Sequence, residues 1–369
     1  MTPRTPPRIA LVHDWLTGMR GGEKVLEVVG ELYPDADIFT LLHMPGSVSA
    51  SIERHRIRRS FVQHVPGARR IYRHLLPLFP LAIEQFSFDG YDLVISISHC
   101  VAKSIRPGRR ARHLCYCLTP MRYAWDQFGE YFGRDRVGRA GEAVLRPVLG
   151  ALARWDARTA ARAHQFVAIS GYVADRVARY YNRQASVVFP PVDTEFFSPD
   201  GRTPDRTALV VSALVPYKRI DVALAACRQA GVPLRIVGNG PDLDRLRRDA
   251  GPDVTFLGWI SDEQVREEYR RAAVALLPGV EDFGIVPLEA QACGRPVVAV
   301  NEGGATETVR HGETGLLSPR DDVSAFAGAI REAIDAGFDA RIIRAHAETF
   351  GRARFEVQFQ RAVDEMMQS

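Results

Sequence analysis

The feature that most constrains this chain is an alternation that occurs twice. Short apolar runs, flanked by turn formers, alternate with segments of helical periodicity. In the first half the runs cover residues 8–13, 92–97, 114–118 and 165–170. Helical patterns fall between them, notably over 23–32, 142–163 and 171–181. Runs that are apolar throughout, rather than at every second position, suit parallel strands covered on both faces. The first run leads into Gly18, Gly21 and Gly22 and then a helix, the opening of a doubly wound α/β domain. Near residue 190 the texture changes to a Pro-rich stretch of turn formers, which suits a linker. A second series follows, with strands over 208–213, 234–238, 254–258, 274–278 and 296–300. The tail, 353–367, reads as a helix with Phe355, Phe359 and Val363 on one face. The expected organisation is α/β with two doubly wound Rossmann-like domains, 1–190 and 202–350. A linker at 191–201 joins them, and a last helix, 351–369, crosses back to the first domain. Such a pair places a ligand cleft between the carboxyl ends of two sheets.

Composition excludes several classes. Of 369 residues, 46% are hydrophobic and 25% charged, which is ordinary for a globular chain and wrong for a disordered one. No run approaches the roughly 18 apolar residues of a membrane span. The N-terminus enters a strand without the pattern of a secretion signal. Five cysteines are no disulfide framework, and Cys115-Tyr116-Cys117 reads as strand packing rather than a zinc site. The expected location is the cytoplasm. Residues 1–190 hold 27 basic and 16 acidic residues, a balance of +11, and residues 191–369 hold 21 and 28, a balance of −7. The first half is therefore expected to meet something anionic. Its basic cluster comprises Arg54, His55, Arg56, Arg58, Arg59, Arg69, Arg70, Arg73 and His74, followed by an apolar stretch over 75–83. Two readings fit equally: peripheral contact with an anionic membrane at the inner face of the cell, or a solvated face beside a buried helix. No nucleic-acid-binding motif accompanies the cluster, so nucleic acid is not an expected partner. Only Lys24, Lys103 and Lys218 are lysines, against 45 arginines. Each is a place where arginine was not used, and all three are expected to point into the cleft.

The richest constellation runs from Gly279 to Val298. Glu281 falls in the loop after a strand, and Glu289 lies one or two turns into the next helix. Gly284 would let backbone approach a ligand, and the N–H groups of Phe283, Gly284 and Ile285 would face an anion at the helix start. A loop carboxylate with a helix carboxylate suits two sets of sugar hydroxyls, with phosphate at the helix N-terminus. Lys218 and Arg219 follow the strand at 208–213. Lys24 sits in a first helical turn, where a cation opposes the helix dipole, which favours an anionic ligand. His99 and Lys103 follow the strand at 92–97 and, four apart, would share one face of a helix.

The segment from Gly279 resembles the E-x7-E motif of the family-4 retaining glycosyltransferases, which have the GT-B fold. The turns at 21–24, 215–219, 237–241, 256–258 and 303–307 occur in that family's order. The resemblance implies transfer of a sugar from a nucleotide diphosphate sugar with its anomeric configuration retained. It implies that Glu289 holds the ribose and that Glu281 contacts the transferred sugar. Lys218 would stabilise the departing diphosphate. Gly22, Gly238, Arg219 and residues 283–285 would line the donor. His99 would touch the donor sugar. Lys24, Lys103, Arg122, Tyr123 and Trp125 would face the acceptor, with Arg122, Tyr123 and Trp125 forming a wall of aromatic and cationic groups.

The segment 116–125 is similar to a bacterial polysaccharide subgroup associated with mannosyl transfer. This makes GDP-mannose the first donor and UDP-hexoses the second, with a lipid-diphosphate-linked saccharide as acceptor. Two departures stand out. Ser212-Ala213 replaces the usual Gly-Arg, whose missing charge Arg219 would cover, and Leu118 stands where members often carry histidine. These departures permit an inactive membrane-surface scaffold, and the fold also permits a sugar-nucleotide epimerase. No metal or other cofactor is expected. Asp35-x-Asp37 and Asp242-x-Asp244 match a metal motif by letter only, with Asp242 reading as a helix cap.

Overall fold

In the first unit, the apolar runs become strands because each is enclosed on both sides. β1 (Ile9–His13) and β4 (Leu93–Ser98) form the centre of a sheet with β2 (Asp37–Thr40), β3 (Ile57–Arg59), β5 (Arg112–Cys117), β6 (Gln165–Ala168) and β7 (Ala185–Val187). The computed structural model describes residues 7–126 and 134–368, apart from the side chains of Arg73 and residues 134–137. Arg73 of the basic cluster therefore lies outside the described side chains.

All seven strands are parallel, in the order β3-β2-β1-β4-β5-β6-β7. The helix α1 (Gly21–Leu32) buries Val25, Leu26, Val28 and Val29, and α2 (Arg134–Thr159) and α3 (Gly171–Tyr181) lie further along the chain. Ser170 caps α3 by accepting from the Val173 N–H at 3.0 Å, which is why the helix starts there.

The second sheet repeats the plan. β8 (Ala208–Val211), β9 (Leu234–Val237), β10 (Val254–Gly258), β11 (Val274–Leu277), β12 (Val297–Val300) and β13 (Gly315–Ser318) are parallel, in the order β10-β9-β8-β11-β12-β13. Each sheet reverses its strand order once, between β1 and β4 and between β8 and β11. Loops leaving neighbouring strands at such a point diverge to opposite faces, so a crevice opens at the carboxyl ends.

The chain divides into Met1–Phe189 with Phe355–Ser369, and Pro190–Arg354. The stretch expected as a linker packs into the second unit. Phe197 is buried with its ring 5.8 Å from that of Tyr269, and the Val192 N–H donates to the Phe350 carbonyl at 3.1 Å. Burying one such phenylalanine contributes about 1.5–3 kcal/mol, enough to hold the stretch in place. The final helix, α4 (Arg352–Gln368), buries Phe355, Phe359 and Val363, spaced by four. From Phe355 onward it belongs to the first unit, where the two phenyl rings lie 5.8 and 5.7 Å from Tyr116 of β5. All five cysteines are buried and free, and Cys115 and Cys117 lie on β5.

Candidate functional site

In the second unit, the residues of interest gather at the strand-order reversal. Lys218 follows β8 and Glu281 follows β11, and the Lys218 ammonium makes an ion pair with the Glu281 carboxylate. Their side chains are 16% and 15% exposed. Two glycines bring the loops together. A Cβ on Gly279 would lie 2.7 Å from the Lys218 Cα, so only glycine allows the β11 loop to pass so close to the β8 turn. Gly303, at φ +66, would likewise drive a Cβ into the Glu281 carbonyl, and the Gly304 N–H donates to that carbonyl at 2.8 Å. Glu281 is thus gripped by its backbone, which leaves its side chain on a defined bearing.

The helix α5 (Ile285–Ala292) starts after Gly284, whose φ of +99 needs no Cβ. The N–H groups of Phe283, Gly284 and Ile285 sit at its start, where backbone donors lack intrahelical partners. Glu289 is largely buried in this helix and accepts from the Tyr269 hydroxyl at 3.2 Å. Burial, and then the Glu289 charge, push the Tyr269 hydroxyl pKa well above its usual value, so it stays a donor. Gly238 closes the β9 turn against the β8 turn, since a Cβ there would overlap the Ser212 carbonyl.

Arg219, expected to cover the charge missing at Ala213, is itself paired with two carboxylates. Its guanidinium is held by Asp221, with Nη2 to Oδ2 at 3.2 Å, and by Asp321. The hydrogen bond that Arg219 donates to Asp221, followed by the charge of Asp221 and then by Asp321, raises the Arg219 pKa despite partial burial.

The first unit builds its own cluster at the matching place, between the ends of β1 and β4. Asp14, directly after β1, is fully buried. Its carboxylate accepts four backbone N–H groups, from His99 (2.8 Å), Cys100 (3.0 Å), Val101 (2.7 Å) and Ala102 (2.8 Å). The His99 Nδ1 lies 3.2 Å from the same carboxylate, and the His99 side chain is 29% exposed. Below it, His13 faces the Ile97 carbonyl through Nδ1 at 2.9 Å and Glu23 through Nε2 at 3.6 Å. Burial alone would lower the His13 pKa, but the nearby Glu23 carboxylate outweighs it and the net shift is upward. Burial would raise the Glu23 pKa, yet His13 brings it below the usual carboxylate range. Burial lowers the pKa of His99, against the pull of Asp14. Gly22 lies over the cluster, where a Cβ would be 2.9 Å from Leu118 and 3.2 Å from the His13 ring.

Lys103 requires a correction. The chain after β4 forms a single 3-10 turn (Ala102–Ser104) rather than an α-helix, so His99 and Lys103 do not share a face. Lys103 is 1% exposed and ion-paired with Asp156 at 2.7 Å. Its ammonium also donates to the Asp156 carbonyl at 2.7 Å and to Ser104 at 3.1 Å, and it lies over the Tyr181 ring at 4.5 Å. A buried ammonium needs such saturation, and the partners that supply it leave none of the charge for an acceptor. Tyr123 and Trp125 also turn their polar ends inward. The Tyr123 hydroxyl lies 2.7 Å from the Cys100 sulfur, and Trp125 Nε1 donates to Asp156 at 2.9 Å while its ring stacks on Tyr180. They anchor the core instead of forming a wall for a sugar. Arg122 and Lys24 are half-buried.

Among the described residues, no group of three or more His, Cys, Asp or Glu side chains could hold a metal. Asp37 binds Arg58 and Tyr91. Asp242 stands before a helix but bonds to Arg245 at 2.9 Å in place of capping. In the segment after residue 60, Val62, Phe79, Ala82 and Ile83 are buried. Phe61, Ile71, Leu78 and Leu81 are exposed beside exposed Arg69, Arg70 and His74. No helix, among the described residues, is long and apolar enough to cross a membrane.

The sequence reading missed Asp14, His13 and Tyr269, and named Glu23 without a role. The signal for the first two was available: His13-Asp14 ends a wholly apolar strand next to the expected reversal point. Tyr269 carried no such signal, because only folding brings its hydroxyl to Glu289.

The chain is similar to several known proteins. Residues 191–350 match the family model described as Glycosyl transferases group 1. A GDP-mannose-dependent alpha-(1-6)-phosphatidylinositol monomannoside mannosyltransferase of Mycobacterium tuberculosis is 36% identical over 44% of this chain and 51% of its own length. A D-inositol 3-phosphate glycosyltransferase of Acidothermus cellulolyticus is 34% identical over 59% of this chain and 53% of its own. The chain thus spans about half the length of the curated relatives it matches. Among solved structures, sucrose-phosphate synthase from Thermosynechococcus elongatus superposes with a TM-score of 0.74 at 20% identity, covering 98% of this chain and 99% of that one. Anabaena HepE in complex with UDP-glucose gives 0.71 at 19% identity, covering 97% and 99%. The fold is the pair of Rossmann-like units found in GT-B glycosyltransferase structures.

Proposed function

We propose that this chain is a retaining, metal-independent hexosyltransferase that moves a sugar from a nucleotide diphosphate donor to a saccharide acceptor. The observation that carries the reading is the Lys218–Glu281 pair, set by glycine-tight loops at the strand-order reversal of a unit whose sequence matches the glycosyl transferases group 1 model. Binding pockets of doubly wound sheets open at that point.

Glu289 holds the ribose hydroxyls, kept in place by Tyr269. The backbone N–H groups of residues 283–285 and the Lys218 ammonium hold the diphosphate. As the bond between the anomeric carbon and the phosphate oxygen breaks, negative charge grows on the diphosphate, and a fixed ammonium lowers the barrier by stabilising it. Lys218 exchanges its Glu281 partner for the phosphate. Glu281 then faces the sugar, where positive charge develops at the anomeric carbon. The acceptor oxygen attacks from the side the diphosphate leaves. Its proton passes to a departing phosphate oxygen, and the configuration is retained.

GDP-mannose is the first donor, in keeping with the mannosyltransferase relatives, and a UDP-hexose is the second. The acceptor is a lipid-diphosphate-linked saccharide of a bacterial surface polysaccharide. The protein meets it peripherally, at the cytoplasmic face of an anionic membrane, through Arg69, Arg70, Ile71, Leu78 and Leu81. A thermal-shift screen of nucleotide diphosphate sugars, followed by NMR of the product's anomeric centre, tests the reading. GDP-mannose should stabilise the protein most and yield the retained anomer. Stronger stabilisation by UDP-sugars would overturn the mannose donor, and an inverted product would overturn the mechanism. Arg69→Glu with Arg70→Glu should weaken binding to anionic vesicles by about 1 kcal/mol per residue, and unchanged binding would remove the membrane surface from the proposal.

A further inference from the structure

We propose that Asp14 is a positioning residue for His99. The charge of its carboxylate, beside Nδ1, keeps the ring proton there and leaves Nε2 as a hydrogen-bond acceptor for a hydroxyl of the bound sugar. The identity of that ligand rests on the transferase reading above, whereas the arrangement of the ring does not depend on it.

Asp14 is fully buried, and its four backbone donors, from His99 to Ala102, anchor it to the turn that carries the histidine. One carboxylate oxygen therefore sets both the turn and the ring, since Oδ2 receives the His99 backbone N–H at 2.8 Å and faces Nδ1 at 3.2 Å. Trp15 meets the ring edge-on, with centroids 4.5 Å apart, and limits its rotation. Nε2, at the opposite corner, makes no hydrogen bond among the described residues. In a neutral imidazole one nitrogen donates and the other accepts, so a proton held on Nδ1 makes Nε2 the acceptor.

Burial keeps the ring neutral. The groups that face it are Asp14, His13, Glu23 and Arg122. Asp14 and Glu23 favour a second proton. Burial, together with the His13 ring 5.8 Å away and Arg122, opposes it, and the net effect favours the neutral form. The His13–Glu23 pair also accounts for Gly22. Any larger residue there would press on His13 and, through it, on the floor beneath His99. The sugar-facing nitrogen thus depends on a residue that never reaches the ligand.

The full chain, labelled with 15N at histidine, tests this by long-range 1H–15N NMR. In the wild type, His99 should be neutral at pH 7 with its proton on Nδ1. A proton on Nε2, or a charged ring at that pH, would overturn the proposal. Asp14→Asn should mix the tautomers and lower kcat for sugar transfer by about 10–100-fold, as loss of an outer orienting partner does. KM for the donor should stay within about threefold. In a His99→Gln background, Asp14→Asn should then cost little further, because the two residues act as one unit. An equal loss in both backgrounds would show that Asp14 acts on the fold alone. If Asp14→Asn does not fold, the wild-type tautomer decides the matter by itself. Absence of transfer by the wild type would count against the transferase reading and leave the tautomer result standing.

Discussion

Each sheet reverses its strand order once, and each reversal carries a carboxylate beside a basic side chain, yet the two pairs are built in opposite ways. In the first unit the carboxylate is inside and the base outside: Asp14 is 0% exposed and His99 29%. In the second unit Lys218 and Glu281 are equally exposed, on neighbouring loops. Asp14 is saturated by four backbone donors, so it can orient a neighbour but cannot exchange partners. Glu281 is instead paired with a side-chain ammonium, that of Lys218. The same topological address therefore holds a backbone-saturated carboxylate in one unit and a side-chain ion pair in the other.

The largest effect expected from this contrast is on stability. Asp14→Ala leaves four backbone N–H groups without their acceptor and should destabilise the first unit by about 3–5 kcal/mol. Glu281→Ala should cost less, because its carboxylate and the Lys218 ammonium remain partly open to water, at 15% and 16% exposed. Urea unfolding followed separately in each unit would break the contrast if the two losses proved alike. Lys218→Ala comes next. It should lower kcat for transfer by about 10²–10³-fold while leaving the unfolding midpoint almost unchanged. A matching loss of stability would make Lys218 a structural residue, like Lys103.

A smaller effect concerns pH. His113 is buried beside Ser96, and burial holds its pKa at about 3, below its ordinary 6.5. Between those values the unfolded chain takes up a proton that the folded chain refuses. Stability should therefore fall as pH falls from 6.5 towards 3, by up to about 1.4 kcal/mol per pH unit. His113→Asn should flatten that limb in the first unit, and an unchanged slope would assign the acid sensitivity elsewhere.

The central strands of both sheets were legible because they are continuous apolar runs, such as Leu93–Ser98. Three of the four edge strands were not. Ile57–Arg59, Ala185–Val187 and Gly315–Ser318 are three or four residues long and owe their strand form to the neighbour they pair with. The meeting of Lys218 and Glu281, 63 residues apart, was not read from the sequence, where the resemblance implied only a separate role for each. The misreading of Lys103 has a physical origin. Spacing by four implies a shared face only on an α-helix, and the chain makes a single 3-10 turn there, which rotates the lysine inward to Asp156. Of the three lysines, Lys103 is ion-paired in the core and Lys218 is ion-paired on a loop, so rarity alone did not tell the two settings apart.

The account turns most on Glu281. Sugar transfer and donor binding should be measured side by side for the wild type and Glu281→Ala, using GDP-mannose for both. Transfer should fall by at least about 10³-fold while donor affinity stays within about tenfold, because the proposed ribose and diphosphate contacts lie elsewhere. Full transfer by Glu281→Ala would contradict it.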